Sequence, residues 1–192
     1  MAADNIPSTL TYAAWANAFT GAEAEAIERQ GDALNPDNAA IVGNPQSGLH
    51  KAVRVTRTAW MPENPQTKWI YDRVKQVAIA LNNMVYKFEL TGFAEPFQYS
   101  VYRDAEGGHY DWHVDQGPLA VRRKLSLTLQ LTDPALYQGG DLQLHAGNQV
   151  ETAPRQRGTL IAFPAYVLHR VSPVTAGTRK SVVIWTTGPQ FR

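Results

Sequence analysis

The chain of 192 residues is predicted to be a mainly β protein with supporting helices. Beyond residue 84 apolar and polar residues alternate as they do in half-buried strands, and turn signals rich in Gly, Asn and Pro divide the alternating stretches. Before residue 84 two segments show a helical period instead. Many short strands at this spacing are typical of a sandwich or a jelly roll, so we expect a jelly-roll core with two N-terminal helices packed on one sheet.

Two helices are predicted in the front part of the chain. Thr20-Gly21-Ala22-Glu23 has the capping-box pattern, in which two side chains satisfy each other's backbone donors, and it opens a helix that runs to about Ala33. A second helix begins near Pro65. Its apolar residues step by four and three positions and form one stripe, which we interpret as packing against the sheet. They are Ile70, Val74, Val77, Leu81 and Met84.

Strands are predicted over most of the remaining chain. After a loop at 35–47, residues 50–61 alternate like a strand. The further strand candidates are 85–90, 97–103, 110–114, 124–131, 141–145, 149–153, 158–163, 167–172 and 180–186. We expect a single domain over 1–192, with helical support over about 1–84 and the jelly-roll core over about 85–190.

Composition and charge exclude some function classes. A net charge of +1 argues against a dedicated nucleic-acid binder, so no nucleic-acid partner is expected. The charge is uneven, with −5 over residues 1–50 and +6 over residues 51–192, so the second part would welcome a small anionic ligand. Because the chain has no cysteine, disulfides and thiolate-held metals are excluded, and any metal must be held by nitrogen and oxygen.

The sequence shows no targeting or membrane signal. Its first ten residues lack a basic stretch that leads an apolar run, so we expect no signal peptide. No run of 18 or more apolar residues occurs, so no membrane span is expected either. These observations predict a cytoplasmic protein.

Three residues, His113, Asp115 and His169, have the character of ligands to one metal ion. His113 and Asp115 are two positions apart, so they point to one face of a strand, and His169 follows 54 positions after Asp115. Two imidazoles and one carboxylate suit an oxygen-activating non-haem iron(II) site, because they leave adjacent positions on the metal open. The alternative for any histidine that stands alone is a hydrogen-bonded core residue.

A second His-x-Asp pair, His109-Tyr110-Asp111, competes with the first, since both pairs cannot ligate one ion. Gly107-Gly108 comes directly before His109 and predicts a turn there. We therefore favour His113 and Asp115 as the ligands.

Arg179 follows His169 by ten positions. Its planar fork of donors binds a carboxylate bidentately, which lysine cannot imitate. On one strand Arg179 and Lys180 point to opposite faces. The alternative is a surface salt bridge. The face predicted to be interior carries Arg179, Ser181, Val183 and Trp185.

Several stretches occur in one order. They are Tyr102, then 107–115 (GGHYDWHVD), 139–142 (GGDL), 158–164 (GTLIAFP), 169–174 (HRVSPV) and 177–179 (GTR). In this order they resemble the 2-oxoglutarate and iron(II)-dependent dioxygenases, and within them the prolyl 4-hydroxylase-like branch. The resemblance covers roughly residues 97–187. It implies a double-stranded β-helix, which is a distorted jelly roll with supporting helices on its N-terminal side.

The resemblance also implies roles for single residues. His113, Asp115 and His169 match the iron ligands, and Arg179 matches the residue that binds the distal carboxylate of 2-oxoglutarate. Tyr102 is similar to a strand tyrosine that hydrogen-bonds the same carboxylate. The implied cofactors are Fe(II), the co-substrate 2-oxoglutarate and O2, with ascorbate as a further candidate.

The activity implied is hydroxylation of an unactivated carbon, in a prolyl residue of a peptide or protein or in a free amino acid. Related halogenases carry a small residue in place of the carboxylate, so the presence of Asp115 favours hydroxylation. Tyr110 and Trp185 are expected to line the pocket. Substrate contacts are expected from the loops 35–47, 60–67 and 116–123, with Arg57, Trp60 and Arg122 as candidates.

Other function classes remain as alternatives. A zinc-dependent hydrolase can use two histidines and one aspartate with a bound water. A non-enzymatic jelly-roll binding module would use the same residues only structurally. A nucleic-acid dealkylase of the same fold is disfavoured, because residues 180–187 lack the arginine-containing run that follows the distal histidine in that branch.

Overall fold

The computed structural model describes residues 11–38, 52–93, 95–117 and 120–191, which form two antiparallel sheets and two α-helices. The helices are α1 (Gly21–Ala33) and α2 (Lys68–Leu81), and a π-helical turn (Asn82–Tyr86) continues α2. The strands are β1 (Ala13–Trp15), β2 (Asp37–Asn38), β3 (Arg54–Val55), β4 (Arg57–Met61), β5 (Gly92–Phe93), β6 (Phe97–Arg103), β7 (His109–His113), β8 (Arg123–Gln130), β9 (Tyr137–Gly139), β10 (Leu142–Ala146), β11 (Gln149–Thr152), β12 (Leu160–Pro164), β13 (His169–Val171) and β14 (Val174–Thr187).

The two sheets lie face to face. The major sheet has the order β1-β12-β8-β14-β6-β4-β2, with β5 and β9 also paired to β14, and the minor sheet has the order β11-β10-β13-β7-β3. Leu142 and Leu144 of the minor sheet pack against Ile161 and Phe163 of the major sheet. This arrangement confirms the predicted mainly β jelly roll, with helices on one sheet.

The major sheet has two buried faces of opposite polarity. Towards the helices its strands project mainly apolar side chains, such as Leu125, Leu127 and Leu129 of β8. Lys180 of β14 also points this way and pairs with Glu28 and Asp32 of α1. Alternate residues of β8 face the minor sheet, and these are polar but still buried. The same alternation holds in β6 and β14. The buried residues that these three strands place on the inner face include Gln98, Ser100, Tyr102, Ser126, Thr128, Gln130, Arg179, Ser181 and Trp185.

Both predicted helices form and cover the apolar face. Thr20 and Glu23 make the expected capping box, and α1 ends at Ala33 as predicted. In α2 the stripe residues from Ile70 to Leu81 are buried against the sheet. Within the described part of the chain, neither helix is long and apolar enough to cross a membrane.

The end of α2 differs from the prediction. Residues 82–86 form a π-helical turn, which holds an extra residue per turn and so leaves Met84 exposed rather than on the apolar stripe. The strand predicted over 85–90 is wrong. The side-chain amide of Asn82 donates to the Phe88 carbonyl and accepts from the Phe88 amide, each at 2.9 Å, and this local closure replaces strand pairing.

The strand predicted over 50–61 is divided between the two sheets. Its first part, β3, pairs with β7 of the minor sheet, and its second part, β4, pairs with β6 of the major sheet. The buried Thr56 lies at the crossing, where its hydroxyl donates to the Val101 carbonyl at 3.0 Å. Residues 50 and 51 lie outside the described residues, as do residues 39–47 of the predicted loop.

Packing of α1 on the major sheet depends on one glycine. Gly31 is buried, and a Cβ added there would collide with the ring of Tyr99. The Tyr99 hydroxyl also donates to Asp32 at 2.7 Å, so the ring cannot simply move away.

We predict that Gly31→Ala lowers the free energy of unfolding. Overpacking of this kind costs roughly 1–3 kcal/mol, which should exceed the gain of about 1 kcal/mol in helix propensity. Gly21→Ala is the matched control, because nothing lies within 4 Å of a Cβ at the start of the same helix. Chemical denaturation of both variants checks this, and equal stability of the two would contradict it.

Candidate metal centre

The two histidines of the predicted site are cross-strand neighbours in the minor sheet. His113 at the end of β7 lies opposite His169 at the start of β13. Nδ1 of His113 lies 2.7 Å from the Asp111 carbonyl, and Nδ1 of His169 lies 2.9 Å from the Val167 carbonyl. Because a carbonyl only accepts, each Nδ1 carries a proton, and each Nε2 keeps its lone pair for a metal.

Asp115 follows β7 and is held in place by the chain beyond β12. The amides of Asp115 and Gln116 both donate to the Ala165 carbonyl, at 3.0 and 2.9 Å. Oδ1 of Asp115 lies 3.7 Å from Nε2 of His113, and Oδ2 lies 3.5 Å from Nε2 of His169. Oδ2 also accepts a 2.6 Å hydrogen bond from Ser126 on β8. The carboxylate is therefore fixed by the major sheet while it faces the minor one.

The three side chains form a set of donors suited to a divalent cation. One ligand atom from each of His113, Asp115 and His169 lies within 4.8 Å of the others. Burial and the neighbouring His169 imidazole lower the pKa of His113 to about 4. Burial raises the pKa of Asp115, but the two imidazoles and the Ser126 hydroxyl outweigh it, so this pKa lies below its ordinary value. At neutral pH the cluster therefore offers a neutral His113 and an ionised Asp115.

Aromatic rings fix the imidazole planes. The Tyr110 ring stacks on His113 with centroids 3.5 Å apart, and the Phe163 ring meets His169 edge-on at 4.6 Å. Ordered ring planes of this kind keep ligands in position before the metal arrives. Tyr110 thus lines the pocket as expected.

Arg179 is a buried charge without an acidic partner among the described residues. It lies on β14 directly opposite Tyr102 of β6 and is 1% exposed. Its Nη2 donates to Gln130 at 2.9 Å and its Nη1 donates to Ser181 at 3.3 Å, whereas its buried Nε has no hydrogen-bond partner within the described ranges. A buried guanidinium held only by neutral groups is unfavourable until an anion arrives, so this arrangement fits a carboxylate ligand.

A glycine turn gives Arg179 its space. Gly140 has a φ of +64°, and a Cβ there would lie 3.0 Å from Cδ of Arg179. On another side the guanidinium lies over the Tyr102 ring, 5.4 Å from its centroid. Gly139 and Gly140 therefore form the turn, and the missing Cβ of Gly140 leaves room for the Arg179 side chain.

One cavity of about 320 Å³ joins the metal cluster to Arg179. It is large enough for a small dicarboxylate together with part of a substrate. The face of β14 predicted to be interior does line it, from Arg179 through Ser181 and Val183 to Trp185, and Tyr102 and Trp60 line it as well.

Other predicted residues lie away from the cavity. Arg57 is ion-paired with Glu106 at 2.6 Å, and Arg122 is exposed. The ring nitrogens of His109 lie 2.7 and 3.1 Å from the carbonyls of Gly107 and Ala52, so this histidine joins the β7 start to the β3 segment. Asp111 accepts from the amide of Trp112. The second His-x-Asp pair thus has a structural role.

The sequence did not point to several residues that line the cavity or support its side chains. Ser126 and Gln130 support Asp115 and Arg179, and the only available signal was their regular alternation with leucines in the strand predicted over 124–131. Arg54 lines the cavity from β3, and Arg123 lines it in a bidentate pair with Glu95. These contacts join distant strands, so no local pattern announces them.

Two histidines and one aspartate that lie together inside a jelly roll suit an oxygen-activating iron(II) site. Residues 97–187 match the model of the 2OG-Fe(II) oxygenase superfamily. This match covers slightly less than half of the chain and confirms the resemblance found in the sequence over roughly residues 97–187.

Curated relatives match part of the chain, and solved structures share its fold. A PKHD-type hydroxylase from Pseudomonas putida is 36% identical over 88 residues, which cover 42% of this chain and 39% of that protein. The chain thus spans about two fifths of the length of the curated relatives it first matches. A crystal structure of a prolyl-4-hydroxylase from the same organism has a TM-score of 0.73 at 19% identity, covering 93% of each chain.

A second solved structure extends the likeness of the fold. It is a prolyl hydroxylase from Trichoplax adhaerens in complex with a peptide fragment of the hypoxia inducible factor oxygen degradation domain. Its TM-score is 0.78 at 18% identity, and the match covers 93% of this chain and 84% of that one. At these identities the two structures establish the shared fold.

We predict that Ser126→Ala weakens metal binding without loss of the fold. The lost 2.6 Å hydrogen bond frees the Asp115 carboxylate to rotate, and loss of such outer contacts lowers metal affinity by roughly 10–100-fold. Ser100→Ala is the matched control, since Ser100 is equally buried on β6 and its hydroxyl has no hydrogen-bond partner in the described part of the chain. Competition titrations with Co²⁺ measure the effect. Equal affinity in the two variants would show that Ser126 does not position the ligand.

Proposed function

We propose that this chain is a non-haem Fe(II)/2-oxoglutarate-dependent dioxygenase that hydroxylates an unactivated carbon. His113, Asp115 and His169 are its catalytic metal ligands, and Arg179 and Tyr102 hold the 2-oxoglutarate. The observation that carries the proposal is one cavity shared by the ligand cluster and a buried arginine that lacks an acidic partner among the described residues.

The metal would be held by Nε2 of both histidines and by the Asp115 carboxylate. Bound iron(II), with 2-oxoglutarate and O2, supplies the oxidising chemistry that no side chain can provide. The chain's own residues orient the ligands before the metal binds. The Asp111 and Val167 carbonyls fix the protons on the two Nδ1 atoms, Ser126 orients the carboxylate, and only three protein ligands leave room for further ones.

Arg179 supplies the far end of the oxoacid site. Gln130 and Ser181 hold the guanidinium plane, so its remaining donors are already oriented towards a carboxylate. Tyr102 lies beside it as a second polar group for the same carboxylate. Removing water from this buried site strengthens each of these interactions.

The substrate we propose is a prolyl residue in a peptide or protein, or a free amino acid. The PKHD-type relative and the two prolyl hydroxylase structures support this class, and so do the aromatic rings of Trp60 and Trp185, 6.3 Å apart at the cavity. We further propose one domain over 1–192, a cytoplasmic location, no nucleic-acid partner, and ascorbate as an accessory reductant.

The cavity gives less support to a zinc hydrolase. Such an enzyme needs a free general base near the metal-bound water. The other carboxylate that lines the cavity, Glu95, is held by Arg123 through hydrogen bonds of 2.6 and 3.1 Å. A non-enzymatic module, in which His113, Asp115 and His169 are only structural, would not explain why the charge of Arg179 is buried beside them.

The function is tested by adding Fe(II) and 2-oxoglutarate first without and then with O2. We expect a visible charge-transfer band without O2, then succinate formation and the gain of one oxygen atom in a substrate found by mass spectrometry. Asp115→Ala should abolish succinate formation while the protein stays folded, because one ligand and one charge are lost. No band and no succinate from the wild-type protein would overturn the proposal.

We predict that Arg179→Gln lowers the affinity for 2-oxoglutarate by about tenfold or more, as expected for loss of a charge-assisted hydrogen bond. The folded protein without the oxoacid should be no less stable, because a buried unpaired charge is removed. Lys180→Gln is the matched control, since Lys180 points to the other face and pairs with Glu28 and Asp32. Calorimetric titration of 2-oxoglutarate measures the affinity of each variant. An equal loss of affinity in both variants would contradict the role of Arg179.

A further inference from the structure

We propose that Arg54 binds a carboxylate of the substrate, so that the molecule hydroxylated is a free amino acid or carries a C-terminal carboxylate close to the reacting carbon. This inference rests on the proposed function and adds a specificity-determining residue to it. It is carried by the position of Arg54, by its contacts and by the balance of charges around the cavity.

Arg54 reaches the cavity from the minor sheet. On β3 it lies opposite Tyr110 of β7, and its guanidinium lies over the Tyr110 ring, 4.5 Å from the centroid. The same ring stacks on the metal-ligand candidate His113. A group bound to Arg54 would therefore lie close to the metal centre, with a single aromatic side chain joining the two.

The guanidinium of Arg54 is oriented but not neutralised. Its Nη2 donates to Oε1 of Gln98, at 2.9 Å, and Gln98 lines the cavity from β6 of the opposite sheet. Its Nε is buried and has no hydrogen-bond partner among the residues that the structure describes. Held between a neutral amide and an aromatic face, the planar fork is prepared for an anion in the same way as that of Arg179.

Charge balance leaves Arg54 as the available cation for a second anion. Arg123 is paired with Glu95, Asp115 faces the metal position, and Arg179 is assigned to 2-oxoglutarate. No acidic residue pairs with Arg54 in the described part of the chain. The neighbouring residues 39–51, which lie outside it, contain no Asp or Glu in the sequence.

The reach of Arg54 limits the substrate. An anion at this position lies within the same cavity of about 320 Å³ as the metal ligands, so only a few bonds can separate it from the reacting carbon. An α-carboxylate satisfies this distance. An internal prolyl residue, which has amide groups on both sides, would leave the charge of Arg54 without a partner.

The test measures binding without turnover. The protein is loaded with Zn²⁺ and 2-oxoglutarate, and pairs of N-acetyl amino acids and their neutral amides, proline included, are titrated by calorimetry. The best-bound acid should bind about tenfold or more tightly than its amide, as a charge-assisted hydrogen bond predicts. A second arm compares that N-acetyl acid with the free amino acid. Tighter binding of the free form indicates a free amino acid, and the reverse indicates the end of a peptide.

Variants assign the preference to one residue. Arg54→Gln should reduce it to within about twofold, whereas Arg54→Lys, which keeps the charge, should retain part of it. Arg57→Gln is the matched control, because Arg57 lies on the adjacent strand but pairs with Glu106 outside the cavity. It should keep the full preference.

Three results would overturn the inference. The first is that the wild-type protein binds acids and amides equally, or binds neither. The second is that the preference for acids over amides survives Arg54→Gln. The third is that Arg54→Gln lowers the affinity for 2-oxoglutarate. Each leaves the proposed function standing if the iron and 2-oxoglutarate still give their charge-transfer band. Absence of that band would instead count against the proposed function.

Discussion

The antiparallel pairing of β7 with β13 is the interaction on which the site depends. It sets His113 opposite His169, and the Ala165 carbonyl then brings Asp115 to both imidazoles. Hydrogen bonds of the two Nδ1 atoms to backbone carbonyls tie the tautomers to the sheet itself. The geometry of the cluster is therefore a property of strand register, and a slip of one residue would turn a ligand to the outer face.

The major sheet supplies the second half of the site through its unequal faces. Its helix side is apolar and holds the core together, while its inner side buries serine, threonine and glutamine side chains around Arg179. Burying polar groups contributes little to stability and makes sense where they orient a ligand. Of the three arginines that line the cavity, Arg54 and Arg179 rest on neutral partners, which keeps their charge available for anions, whereas Arg123 is paired with Glu95.

Much of this could be predicted from the sequence because the signals are local. Strand parity placed His113 and Asp115 on one face, and the Gly107-Gly108 turn signal favoured them over His109 and Asp111. Parity also separated Arg179 from Lys180. The capping box fixed the start of α1. The strand predicted at 85–90 failed because Asn82 closes a turn onto Phe88, a contact that alternation does not reveal. Arg54 and Ser126 could not be assigned, since their roles arise only where distant strands meet.

The central claim is that one cavity holds a metal on His113, Asp115 and His169 and an oxoacid carboxylate on Arg179. A crystal structure grown without O2, with Mn²⁺ and 2-oxoglutarate, tests it most directly through the anomalous signal of the metal. We expect one strong peak bonded to both Nε2 atoms and the Asp115 carboxylate, with the far end of the oxoacid on Arg179. A metal bound by His109 or Asp111, or an oxoacid that does not touch Arg179, would contradict the account.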